Sequence, residues 1–178
     1  MRQLIEAVRH NLRNLLHFAG RERRGTFWRY VLAVYVAHMA LSMLVVMPVM
    51  AGGFGRAGEG SFENMFDKIL LFTAISGAMF VLLLAASAVR RLHDSGRSGL
   101  WMLLPLPFLA VGLWGMHGLR SNIREGGDPG GSFGLLIANN FAYLAALGFL
   151  VFLLARSGTA GPNRYGPDPR EGRDSSRA

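Results

Sequence analysis

Cysteine is missing from all 178 residues, which excludes disulfides and thiolate metal sites and leaves the redox compartment open. Charge is scarce. Asp, Glu, Lys and Arg make up 17 % of the chain, beside roughly 25 % in a typical soluble domain. Lysine is scarcer still, a single Lys68 against eighteen arginines, and the formal net charge is +8. Four stretches hold no charged residue at all, namely 30–55, 69–89, 98–119 and 132–155. No acidic residue therefore lies within an apolar core to drive ion coupling.

What is present in those stretches is apolar and long. A helix needs about 20 such residues to cross a hydrocarbon layer of about 30 Å, and each stretch suffices. Because lipid offers backbone groups no water, the segments must be helical even where Val45, Val46 and Val49 accumulate. The expected fold is all-α: an integral membrane four-helix bundle with spans at about 30–51, 69–89, 99–119 and 133–155. The "VMA" before Gly52 resembles a signal-peptidase site. A secretory apolar core is shorter and follows a shorter basic start than these 29 residues, so retention of the first span is expected.

The arginines explain themselves by where they fall. Residues 1–29, 90–97 and 156–178 carry fifteen Arg, whereas 56–68 and 120–131 carry four Arg or Lys. Positive residues of short loops stay in the cytoplasm, so both termini and the central connector are assigned there. The basicity then has a topological cause, and nucleic acid is not expected as a partner.

The chain divides into a cytoplasmic segment at 1–29, the four-span domain at 30–155 and a cytoplasmic tail at 156–178, expected to be disordered after about 170. In the first segment Leu4, Ile5, Val8, Leu12, Leu15, Leu16 and Ala19 recur at steps of three and four among Arg2, Glu6, Arg9, His10, Arg13 and His17. This is an amphipathic helix with a basic face. Two placements stand: in the membrane interface with its arginines at anionic head groups, or packed on the end of the bundle.

Three motifs occupy the cytoplasmic side: "FAGRERRGTFW" at 18–28, "RRLHDSGRSGLW" at 90–101 and "GPNRYGPDP" at 161–169. Together they resemble a family of small bacterial inner-membrane proteins, domain of unknown function family 805, of the YhaH and YhaI type. The matching positions are Phe18, Gly20, Arg21, Arg24, Phe27 and Trp28, then Arg90, Arg91, Leu92, His93, Asp94, Gly96, Arg97, Ser98 and Gly99, then Asn163, Arg164, Tyr165 and Gly166. The middle motif is specific and the flanking two are weak alone; the glycine-rich connector at 52–61 does not match. The resemblance implies a multi-pass protein of the bacterial inner membrane and carries over no activity.

Helix ends of one bundle lie close together, so the three motifs can meet. Their arginines, Arg21, Arg23, Arg24, Arg90, Arg91, Arg97 and Arg164, outnumber Glu22, Asp94 and Asp168. Two readings follow. In a clasp, Asp94 pairs with Arg90, Arg91 or an arginine of the first motif, and His93 bonds a helix-end carbonyl. In an anion site, Arg97 and N–H groups capped by Ser98 hold a phosphate or a phospholipid head group. Asn163, Arg164 and Tyr165 are expected to dock with the same cluster. His93 and Asp94 lack a nucleophile or third ligand, so neither enzyme activity, nor a metal, nor a cofactor is expected. Within the spans His38, Asn139 and Asn140 need partners. Asn139 and Asn140 point about 100° apart and are expected to make different interhelical hydrogen bonds.

The functional expectation is a non-enzymatic inner-membrane protein with a basic cytoplasmic cluster for anionic lipid or a partner protein. The alternative is a small transporter or channel, acting as a homo-oligomer, with His38, Asn139 and Asn140 along its path.

Overall fold

The computed structural model describes residues 1–55, 61–128 and 130–170; the tail expected to be disordered, 171–178, lies outside them. Among the described residues five α-helices and one short 3-10 helix follow one another: α1 Arg2–Arg13, α2 Arg24–Gly55, α3 Ser61–Asp94, the 3-10 turn Gly99–Leu103, α4 Leu106–Arg124 and α5 Gly130–Ala155. There is no named strand among the described residues. Four regions among the described residues are long and apolar enough to cross a membrane: Arg24–Gly52, Lys68–Asp94, Gly99–Ile123 and Gly130–Ala155.

The helices pair as two hairpins, α2 with α3 and α4 with α5, and α3 also touches α5. The buried apolar cluster is Phe27, Ala88, Leu92, Leu150, Leu153 and Leu154, with Trp28, Val31 and Met102 packed on it. It lies where α2 begins and α3 and α5 end, which we term the motif end. Along the rest of the spans large side chains such as Leu44, Leu82, Leu113 and Leu135 point outward. In hydrocarbon that exposure carries no cost, because the surroundings are as apolar as the side chains.

Three elements differ from their expected form. The helix α1 stops at Arg13, so Leu15, Leu16 and Ala19 do not extend its apolar stripe. Its final carbonyls turn instead to an arginine from α3, described below. Half of the supposed connector "RRLHDSGRSG" is the last turn of α3. That helix closes at Gly96, whose φ of +73° suits a left-handed cap, with Gly96 N–H donating to His93 O at 3.0 Å and Arg97 N–H to Leu92 O at 2.9 Å. The third span, expected as one helix over 99–119, is broken: Pro105 caps α4 after the 3-10 turn, and Pro107 lies in its first turn, where a missing N–H does no harm.

Candidate functional site

The first half of the site is built on Glu22, 3 % exposed in the segment entering α2. Its carboxylate accepts four hydrogen bonds: from Asn11 Nδ2 at 2.8 Å, Ser87 Oγ at 3.0 Å, Arg90 Nε at 3.1 Å and Arg90 Nη2 at 2.9 Å. Glu22 N–H also donates to Arg90 O at 3.1 Å. The Arg90 guanidinium spends its other donors on Asn11 Oδ1 at 2.6 Å, Asn14 O at 3.0 Å and His17 O. It therefore caps the end of α1 while neutralising Glu22. A buried ion pair is tolerated only when its remaining donors and acceptors are satisfied, and here they are.

The second half is built on Asp94, 4 % exposed at the end of α3. Arg21 reaches Asp94 Oδ1 with Nη2 at 3.0 Å and Nε at 3.1 Å, and Arg91 Nη1 donates to Oδ2. Arg91 is fully buried and donates onward to Leu154 O at 3.0 Å and to Arg156 O, the orphan carbonyls at the end of α5. Arg24 adds a bond to Ala155 O at 3.3 Å. Arg21 in turn gathers the tail, donating to Thr159 O at 2.6 Å and Gly161 O at 2.6 Å.

The tail docks as a tight turn, Asn163 and Gly166 exchanging two backbone bonds at 3.0 Å. Asn163 Nδ2 donates to His93 O at 3.0 Å, and the Tyr165 ring stacks on the His93 imidazole at 3.8 Å and 5°. The Arg164 guanidinium lies over the Tyr165 ring, 4.7 Å from its centroid. The His93 ring also meets Gly20 O at 3.3 Å through Nδ1. Asp168 closes the turn, accepting from Gly161 N–H at 3.1 Å and from Arg170 at 2.9 Å. Its carboxyl is held down to about 2, first by the Arg170 side chain, then by Arg170 and Gly161 backbone N–H groups.

Of the residues predicted from sequence, Arg21, Arg24, Arg90, Arg91, His93, Asp94, Asn163, Arg164 and Tyr165 come together. Of the partners offered for Asp94 the structure gives Arg91 and Arg21, while Arg90 pairs with Glu22; successive helical residues point about 100° apart, so Arg90 and Arg91 reach different acids. Arg97 makes no side-chain hydrogen bond or ion pair among the described residues. Ser98 Oγ accepts from Leu100 N–H at 3.3 Å, and Ser98 O accepts from Trp101 N–H at 3.3 Å. Two N–H groups of the five-residue turn are thereby used, and the anion site expected after Ser98 has too little helix behind it.

The intramembrane polar residues do not converge. His38 lies against Phe80 at 5.2 Å in a groove between α2 and α3, whereas Asn139 Nδ2 donates to Phe108 O at 2.9 Å between α5 and α4. Asn140 is exposed on the outside of α5. Sequence reasoning missed Asn11, Ser87 and Thr159 and did not foresee the burial of Glu22. Ser87 carried a signal, since it precedes Arg90 by three residues and shares its helix face; Asn11 carried none.

The chain has relatives among known proteins. The chain is 29 % identical over 163 residues to "Inner membrane protein YhaH" of Escherichia coli (strain K12), covering 89 % of this chain and 92 % of that one. It is 24 % identical over 163 residues to "Inner membrane protein YhaI" of the same strain, covering 90 % and 92 %. No solved structure matches. Residues 15–167, which include every member of the site except Asn11, Asn14, Asp168 and Arg170, match the family described as protein of unknown function (DUF805). The chain belongs to the DUF805 family.

Proposed function

We propose that the protein is a non-enzymatic component of the bacterial inner membrane, with both termini cytoplasmic, whose motif cluster closes the fold and presents surplus arginines to anionic phospholipid. The observation that carries this reading is the division of labour among the arginines. Arg21, Arg90 and Arg91 are consumed by two buried acids and by the carbonyls at the ends of α1, α5 and the tail. Arg23, and Arg24 beyond its one bond to Ala155 O, instead line a cavity of about 340 Å³ with Gly25, Ser157 and Gly158, open beside Asp94. Guanidinium groups in such a place suit the phosphate of a head group, which accepts paired N–H bonds. The outward Arg9 and Arg13 of α1 add attraction to an anionic surface.

Chemistry at His93 has little to support it, because the ring is occupied by Tyr165 and Gly20 and Asp94 by two arginines. The path reading is weaker too, since His38 and Asn139 sit in different hairpins.

Thermal melts of the purified chain in detergent test the proposal. Added phosphatidylglycerol should raise the melting temperature by mass action, and Arg23→Gln/Arg24→Gln should abolish that rise while leaving the melt in zwitterionic lipid within a few degrees. A full response in the double variant defeats the head-group reading. A rise with inorganic phosphate equal to that with lipid would make the ligand a free anion instead.

A further inference from the structure

The helix α5 treats its two asparagines oppositely. Asn139 faces α4 and is paired with Phe108 O, and Leu136, on the same side, fills the space over Gly115. Asn140, rotated about 100° from its neighbour, faces outward and has no side-chain partner among the described residues. It lies about 4 Å along the axis from the midpoint of Gly130–Ala155, at about 1.5 Å per residue. That depth is close to the bilayer centre, where lipid offers an amide neither donor nor acceptor.

The residues around Asn140 form a pattern. Phe133, Ile137, Asn140, Leu144, Leu147 and Val151 follow at steps of four and three in alternation, and the five apolar members are 57 %, 45 %, 51 %, 36 % and 44 % exposed in chain order. This is the 3.5-residue spacing of an interhelical seam, with one asparagine where a single polar residue sets register and partner number. We propose that this seam docks on the α5 of a second copy of the chain, forming a two-fold dimer in which Asn140 hydrogen-bonds the partner's Asn140.

Three physical points select a second copy. The carboxamide holds both donors and an acceptor, so it complements itself. Copies inserted with one topology hold Asn140 at one depth, and a two-fold axis along the membrane normal sets each seam residue opposite its equivalent. Lipid tails cover the apolar members equally well but leave the amide unsatisfied. Packing of this spacing at crossing angles near +20° is common between membrane helices.

Because the chain has no cysteine, one introduced thiol reports on one position. Ile137→Cys and Leu144→Cys place it on the seam, and Leu135→Cys and Phe152→Cys place it on outward surfaces facing elsewhere, exposed by 75 % and 57 % in the parent residues. The full chain in native membranes, treated with copper phenanthroline, should give a disulfide-linked dimer from the seam variants and little from the other two. Adding Asn140→Leu to Leu144→Cys should lower the cross-linked fraction about threefold to tenfold, the loss of one amide pair in lipid. Asn140→Gln should restore part of it. Equal yields at all four positions, monomer throughout, or an adduct with a protein of different mass overturns the proposal, as does an unchanged yield in Asn140→Leu. Melting of each variant in detergent, expected to match the parent because these side chains are outward, separates failed docking from failed folding.

Discussion

Arginine does most of the structural work here, and its fixed fork of five donors explains why. Arg90 answers one carboxylate, one amide and two backbone carbonyls at once, and Arg91 answers Asp94 and the end of α5. A lysine would bring three donors from one point and could not span these acceptors. The acids are equally committed. Glu22→Ala should destabilise the fold by about 3–5 kcal/mol, since Arg90 would remain buried without its counter-charge; denaturant or thermal titration in detergent measures it. A loss below about 1 kcal/mol would mean that water reaches Arg90 and the pair is not shielded. Gly158 shows the same economy of space: a Cβ there would stand 2.1 Å from Asp94 Oδ2. The tail can pass the buried acid only at a residue without a side chain.

Among the elements, α1 and the tail are anchored at the motif end by polar contacts, with Ala7 buried beside Asn11 on α1. The buried residues of α1 are Ala7 and Asn11, while Ile5 and Leu12 remain 58 % and 48 % exposed. One edge of the helix is thus fixed to the protein through Asn11, the packed placement considered from sequence, and we propose that its exposed apolar residues such as Ile5 lie in the membrane interface. The tail is held by Arg21, the His93–Tyr165 stack and Asp168. The Asp168 carboxyl, ordinarily near 3.8, is depressed to about 2 in the folded chain. Its contribution is therefore complete above pH 3.8 and is lost as pH falls through about 2. Limited proteolysis with pepsin should leave residues 159–170 protected at pH 4 and cut them at pH 2, and Asp168→Asn should be cut at both. Protection of the variant equal to that of the parent would show that Asp168 does not hold the turn.

For the whole molecule, the motif end is a joint between two helical hairpins. Apolar contact between α3 and α5 near Leu92 and Leu153, and the arginine bonds above it, connect what would otherwise be separate pairs in lipid. The joint has a side, and we propose from the charge distribution that this side is the cytoplasmic one. Reporters active only in the cytoplasm should work when fused after Arg170 and fail when fused at Gly127, with the converse for periplasmic reporters. The reverse result would place the arginine cluster outside and remove access to cytoplasmic lipid head groups.

The spans were legible in the sequence because hydrocarbon imposes one rule on every backbone group, so length and the absence of charge near Leu44, Leu82 or Leu144 suffice to assign helix. The meeting of the three motifs was legible for a similar reason: four spans return their ends to alternate sides. Tertiary structure alone decided that Arg90 takes Glu22, 68 residues away in the segment entering α2, whereas Arg91 and Asp94 stand three residues apart on α3 and their pairing follows from helix geometry. It also decided that α1 ends at Arg13, where Arg90 donates to the free carbonyls of Asn14 and His17, and that Asn139 faces a neighbour while Asn140 faces out. Local pattern supplies the period of a helix but not its phase; the phase follows from which neighbour the helix meets.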